Sequence, residues 1–195
     1  MLLYATFLLL ETRSFPLKLD HLSSDPRSGA RIRQVAQDIN ARIGSYLALK
    51  TLLSVLLGAV CWVIMRWFGL EFALFWAVLI ILLNFIPYIG SFLAVIFPVA
   101  MAIAQFQDPG IIFYVAASLI VVQFVIGNFL DPFIMGNSLN LSPFSILVSL
   151  SVWSELWGIP GAFLAVPITA MIVIIFSEFS STRPIAVLLS RNGQV

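Results

Sequence analysis

Four residues at the end of one apolar run carry most of the chemistry this sequence offers. Gln123, Gly127, Asn128 and Asp131 close the stretch that begins at Ile111. At helical pitch they fall within about a 140° arc of one helix face. A carboxylate beside amides on such a face can bind a cation, take up a proton or hydrogen-bond a polar solute, if water reaches it. Gly127 leaves room for a solute or a second helix to approach. The competing reading puts Asp131 at the membrane surface, accepting from the N–H groups of the following turn. Asn84 is the next polar residue in apolar surroundings. Its amide either satisfies backbone groups freed at Pro87 or faces a solute. Glu155, flanked by Trp153 and Trp157, reads as interfacial or as a gate or proton site. Gln105 and Gln107 read as interfacial.

The elements that must position these residues are membrane helices. The chain is 61% hydrophobic and 10% charged, with a mean hydropathy of +1.07. A water-soluble domain of this size could not bury so much apolar surface. The expected fold is all-α, a polytopic transmembrane helical protein with two Pro/Gly-broken segments. The first broken segment runs from Phe72 to Gln107. As one helix it would be about 54 Å long, against a hydrocarbon core of about 30 Å. Asn84-Phe85-Ile86-Pro87-Tyr88-Ile89-Gly90 interrupts it near its midpoint. A break at membrane depth frees N–H and C=O groups that lipid cannot satisfy, so protein or a wet cavity must cover it. The second break, Gly158-Ile159-Pro160-Gly161, echoes the first. Both read Ile-Pro, then Gly, a small residue, Phe-Leu-Ala-Val and Pro. A duplicated unit, each a hairpin of two short helices, either re-entrant or spanning, would leave such an echo. So would coincidence among residues common in membranes. Pro87, Gly90, Pro160 and Gly161 therefore join the pathway candidates.

Four regions follow. Residues 1–10 are apolar but too short to span, and read as the remnant of a preceding transmembrane helix. The chain is then the later part of a longer protein or a truncated reading frame. Residues 11–45 form a linker and an amphipathic helix, with Ile32, Val35, Ala36, Ile39 and Ile43 at helical spacing. That helix lies on anionic headgroups, packs on a partner subunit, or extends the next span. Residues 46–179 are the transmembrane core. Its first span runs from Tyr46 to Trp67, with Lys50 and Arg66 snorkelling outward. A further span ends at Asp131-Pro132. A loop at Gly136-Asn137-Ser138 leads to a helix that starts at Ser142-Pro143 and runs to Trp157. Residues 180–195 are a tail. Arg13, Lys18, Arg27, Arg31, Arg33 and Arg42 crowd the early polar segment, which places 11–45 in the cytoplasm and the tail with it.

No enzyme constellation appears, so the chain reads as a non-enzyme. It has no glycine-rich phosphate loop. His21 and Cys61 are its only histidine and cysteine, and they read as a loop residue and a packing residue. No metal ligand set and no cofactor is expected. Nucleic acid is not an expected partner, because no aromatic stacking residues accompany the arginines.

Several motifs in order resemble one family. These are Asn84 to Gly90, Gly127-Asn128-Phe129-Leu130-Asp131-Pro132-Phe133-Ile134-Met135-Gly136, Leu139-Asn140-Leu141-Ser142-Pro143 and Trp157 to Pro167. Over about residues 45–180 the chain resembles the autoinducer-2 exporter family of bacterial inner-membrane proteins. Members are usually longer, with more helices at the N-terminus. The resemblance implies secondary transport of a small solute, and a homo-oligomer. A Na+(Li+)/H+ antiporter, with a monovalent cation or proton at Asp131, is the alternative. A non-transporting membrane scaffold is another. Glu155 departs from the small or apolar residue the family would place there. In the exporter reading, the breaks at Pro87 and Pro160 line a midplane site, Asn84, Gln123 and Asn128 bond the solute, and Asp131 couples to an ion.

Overall fold

The computed structural model describes residues 26–135 and 139–193, with side chains from Arg33 onward. The expectations for residues 1–25, including His21, and for the loop at 136–138 lie outside the described residues.

One helix, α1 (Pro26–Trp67), runs for 42 residues, about 63 Å. The connector helix and the first span are thus continuous. Nothing between them breaks a helix, and Gly44 sits in open space. The end of α1 is set by Gly69, whose positive φ of 73° only glycine takes up without strain. Leu70 N–H donates to the Met65 carbonyl and Gly69 N–H to that of Arg66, which satisfies carbonyls the helix end would orphan.

The chain then forms a hairpin of α2 (Ala73–Leu83) and α3 (Ile89–Gln105). At 11 and 17 residues, α2 is about 16 Å long and cannot cross a bilayer alone, while α3 is about 25 Å. Gln105 closes the open end. Its Nε2 donates to the Gly69 carbonyl at 2.8 Å and its Oε1 accepts from Glu71 N–H at 2.7 Å. Gln105 thus clamps the α1–α2 loop at this end of the hairpin.

Asp108 caps α4 (Pro109–Val125), its Oδ1 accepting from Gly110 N–H at 2.7 Å. This helix does not stop at Leu130 as expected. A π-helical turn, Ile126–Leu130, carries it into α5 (Asp131–Met135). The physical reason is Pro132, which has no N–H to donate and whose ring clashes with an α-helical carbonyl one turn back. The wider turn relieves both conflicts, with Asp131 N–H bonded to the Ile126 carbonyl.

A second hairpin joins α6 (Pro143–Trp157) to α7 (Ile159–Glu178). Ser142 caps α6 as its sequence requires, accepting from Ser145 N–H at 3.1 Å. Trp153 Nε1 donates to Thr169 Oγ1 across the pair at 3.2 Å. Helix α8 (Arg183–Leu189) then folds back. Ser142 N–H and Ser145 Oγ both donate to the Leu189 carbonyl, and Arg191 N–H donates to that of Asn140.

Among the described residues, three helices are long and apolar enough to cross a membrane, Arg33–Trp67, Pro109–Met135 and Ile159–Glu178. Phe75, Phe113, Phe124 and Phe133 are exposed, a surface that suits lipid and not water. Lipid is as apolar as leucine, so close packing rather than dehydration must hold the helices together. The small residues do this. Gly58 lies against Ile81 and the Ala77 carbonyl. Ala73, Ala77, Ala94 and Ala102 share one buried cluster with Leu57, Cys61, Met65, Val115 and Leu119.

Candidate functional site

The two breaks share one backbone device. A Cβ on Gly90 would overlap the Leu83 carbonyl oxygen, and a Cβ on Gly161 would overlap that of Trp153. In each hairpin a glycine at the start of the second helix is pressed onto the last turn of the first. The side chains around the breaks differ. Tyr88 turns the first break at φ 60° and ψ −60°, with Ile89 N–H donating to the Pro87 carbonyl at 2.7 Å. This is the rare, strained hand of γ-turn. The second break turns at Gly158, where φ 66° carries no side-chain penalty.

The first break opens onto a cavity of about 920 Å³. Among the candidates, Asn84, Pro87, Gln123, Gly127, Asn128 and Asp131 line it. Gly90 is buried behind it. Glu155, Pro160 and Gly161 do not reach it, and the first two are exposed. The joint lining by Pro87 and Pro160 is therefore corrected. The second hairpin contributes instead through Pro143, Ile146 and Val166. It also supports the first break from the side. Phe163 stacks on Phe85 with ring centroids 4.8 Å apart, and Ile86 packs on the cluster of Leu150, Ala162 and Ala165.

Lys50 is the largest departure from expectation. It does not snorkel outward. Its Nζ donates to Asp131 Oδ2 at 2.8 Å, with side chains only 11% and 20% exposed. Asp131 accordingly pairs with α1 and not with the turn that follows it. Its other oxygen, Oδ1, is buried with no hydrogen-bond partner among the described residues. A second link joins the break to the same helix. Asn84 Nδ2 donates to Ser54 Oγ at 2.9 Å, and Ser54 Oγ donates to the Lys50 carbonyl at 2.7 Å. The Asn84 amide therefore serves α1 rather than the groups freed at Pro87. Asn128 Nδ2 donates to the Phe124 carbonyl at 3.0 Å, while Gly127 faces open space with no helix packed on it.

Sequence reasoning missed Lys50, Ser54 and Tyr46. A signal existed, because Tyr46, Lys50 and Ser54 recur every four residues on the face that continues as Leu57, Cys61 and Met65. A lysine on the apolar stripe of a membrane helix must point inward with it. From Tyr46 to Ser54 the helix rises about 12 Å, so the anchor of the break lies two turns into the apolar helix. Chemically, the cavity offers a charge-balanced pair, amide groups and one unsatisfied carboxylate oxygen. That set can hydrogen-bond a polar solute through both donors and acceptors. No group of three or more His, Cys, Asp or Glu able to hold a metal occurs among the described residues.

The sequence model of the AI-2E family of transporters matches residues 1–181. A protein of Borreliella burgdorferi is 40% identical over 190 residues, which is 97% of this chain and 52% of that protein. The AI-2 transport protein TqsA of Escherichia coli K12 is 36% identical over 190 residues, 97% of this chain and 54% of TqsA. YhhT of the same strain is 34% identical over 183 residues, 94% of this chain and 51% of YhhT. The chain spans about half the length of the curated relatives it matches.

Proposed function

This chain belongs to the AI-2E family of transporters, and on that premise we propose that the cavity at the first break is the solute site of a secondary transporter. The observation that carries the reading is the convergence of Lys50, Asp131 and Asn84 on one cavity beside a helix break. Broken helices with polar groups at membrane depth are where transporters hold their solutes. The solute proposed is a small polar molecule, with AI-2, the molecule in TqsA's name, as the first to test. The direction proposed is outward. In its support, the cavity reaches Tyr46, Asn140 and Arg191. Tyr46 and Ala186 share one cluster, so the connector end of the span and the tail lie at the same end of the molecule. With the arginine-rich connector cytoplasmic, the cavity opens toward the cytoplasm and can load there. The lipid bilayer is the surrounding partner, and a homo-oligomer remains part of the proposal. Antiport with a bare cation at Asp131 is disfavoured, because the Lys50 ammonium already occupies one oxygen of that carboxylate and balances its charge.

The test is AI-2 flux in vesicles reconstituted with the purified chain. Flux in the wild type that falls by about tenfold in Asp131→Asn and in Asn84→Ala supports the solute site. Flux unchanged in both variants rejects it.

A further inference from the structure

We propose that Lys50 is a tethered counter-ion that sets the ion selectivity of the cavity. Its ammonium holds Asp131 charge-balanced and keeps inorganic cations out of the solute path. The inference rests on the cavity being the solute site, and it names the residue that decides what that site refuses.

Among the described residues lining the cavity, Asp131 is the only carboxylate and Lys50 and Arg191 are the cations. A carboxylate of low exposure in an apolar membrane protein attracts whatever cation can reach it. Sodium and lithium bind oxygen ligands, and a carboxylate with a free second oxygen is a good one. Here the ammonium stands 2.8 Å from Oδ2, in the place such an ion would take. Lysine suits this role because its charge is compact and its stem flexible. The α1 backbone that carries it is linked to the break, since Ser54 Oγ donates to the Lys50 backbone carbonyl and accepts from Asn84 Nδ2. Two hydrogen bonds thus join the helix turn bearing the counter-ion to the break that shapes the cavity. Removing the ammonium leaves both Asp131 oxygens without a partner among the described residues, a position a mobile cation would fill. Removing the carboxylate leaves the Lys50 ammonium as an uncompensated positive charge beside Arg191, which favours anions.

This gives the ion pair a signature that a merely structural pair lacks. In vesicles reconstituted with the full chain, Na+ and Cl− leak are measured alongside AI-2 flux. Wild type passes neither ion. Lys50→Gln passes Na+ about tenfold faster than wild type, and Asp131→Asn passes Cl− by a similar factor. The double variant Lys50→Gln/Asp131→Asn passes neither Na+ nor Cl− from this pair. Lys50→Arg, which keeps the charge, stays closed to Na+. The proposal is overturned if Lys50→Gln folds and shows no Na+ leak, or if wild type itself passes Na+. Should Lys50→Gln fail to fold, Asp131→Asn decides alone, and absence of a Cl− leak overturns the proposal. Loss of AI-2 flux in Asp131→Asn with both ion leaks unchanged removes the counter-ion role and leaves the solute site standing. Ion leaks as described with AI-2 flux intact in Asp131→Asn and Asn84→Ala support the counter-ion and remove the solute site.

Discussion

The two hairpin breaks use the same backbone and opposite side chains. Gly90 presses on Leu83 and Gly161 on Trp153 in the same way. The first break turns at a strained tyrosine, is bonded to α1 through Asn84 and Ser54, and faces the Lys50–Asp131 pair across a cavity. The second turns at a glycine, lies at the exposed end of its hairpin and lends an apolar flank to the first. Two similar backbone breaks thus sit in different surroundings, one beside polar side chains and a cavity, the other in an apolar flank. The sequence echo between them reports the scaffold, because glycine and proline are dictated by backbone geometry. It is silent on the chemistry, which depends on what packs alongside.

The largest expected effects test what the breaks share. Gly90→Ala and Gly161→Ala each force a methyl into a backbone carbonyl, and each costs about 3 kcal/mol or more. Thermal unfolding in detergent should show comparable losses. If one variant is tolerated, the breaks do not share a device. The next effect separates them. Lys50→Met leaves Asp131 unpaired at low exposure and costs about 3 kcal/mol, while Glu155→Gln, on an exposed helix end, changes unfolding by less than about 0.5 kcal/mol. Equal losses would erase the contrast. A smaller pair sharpens it. Asn84→Ala removes a buried amide from Ser54 and costs about 2 kcal/mol together with flux, and Thr169→Val orphans the Trp153 indole N–H for about 1 kcal/mol with flux retained. The smallest concerns the turns. Tyr88→Gly relieves a strained φ and stabilises by about 1 kcal/mol, while Gly158→Ala destabilises by about the same amount. Like signs would show that the first turn stores no strain.

Much of the scaffold was legible because local rules govern it. Ser142-Pro143 names a helix start and Gly158 names a stop, each through hydrogen bonds made within a few residues. Membrane residence follows from composition. The site was legible only in part. Asn84, Gln123, Asn128 and Asp131 stood out as polar residues in apolar runs, and all four line the cavity. The partner of Asp131 did not stand out, because Lys50 is 81 residues distant and a lysine near a helix end is read by default as reaching for water. Pro132 was read as ending its helix, since a π-helical turn is the less common way to accommodate it. Pro160 was given a place in the cavity by analogy with Pro87. Backbone likeness carried that inference too far, because the direction each break faces is set by the helices packed against it.

The central claim is that water reaches the first break inside the membrane layer. Gly127 faces the cavity with open space at its Cβ. Val125, two positions earlier and about 3 Å along the same helix, is exposed on the opposite face. In a Cys61→Ala background, each is replaced by cysteine in reconstituted vesicles and treated with a membrane-impermeant thiol reagent. A wet cavity requires Gly127→Cys to react and Val125→Cys to remain unmodified. Equal reaction at both positions, or none at either, would contradict it.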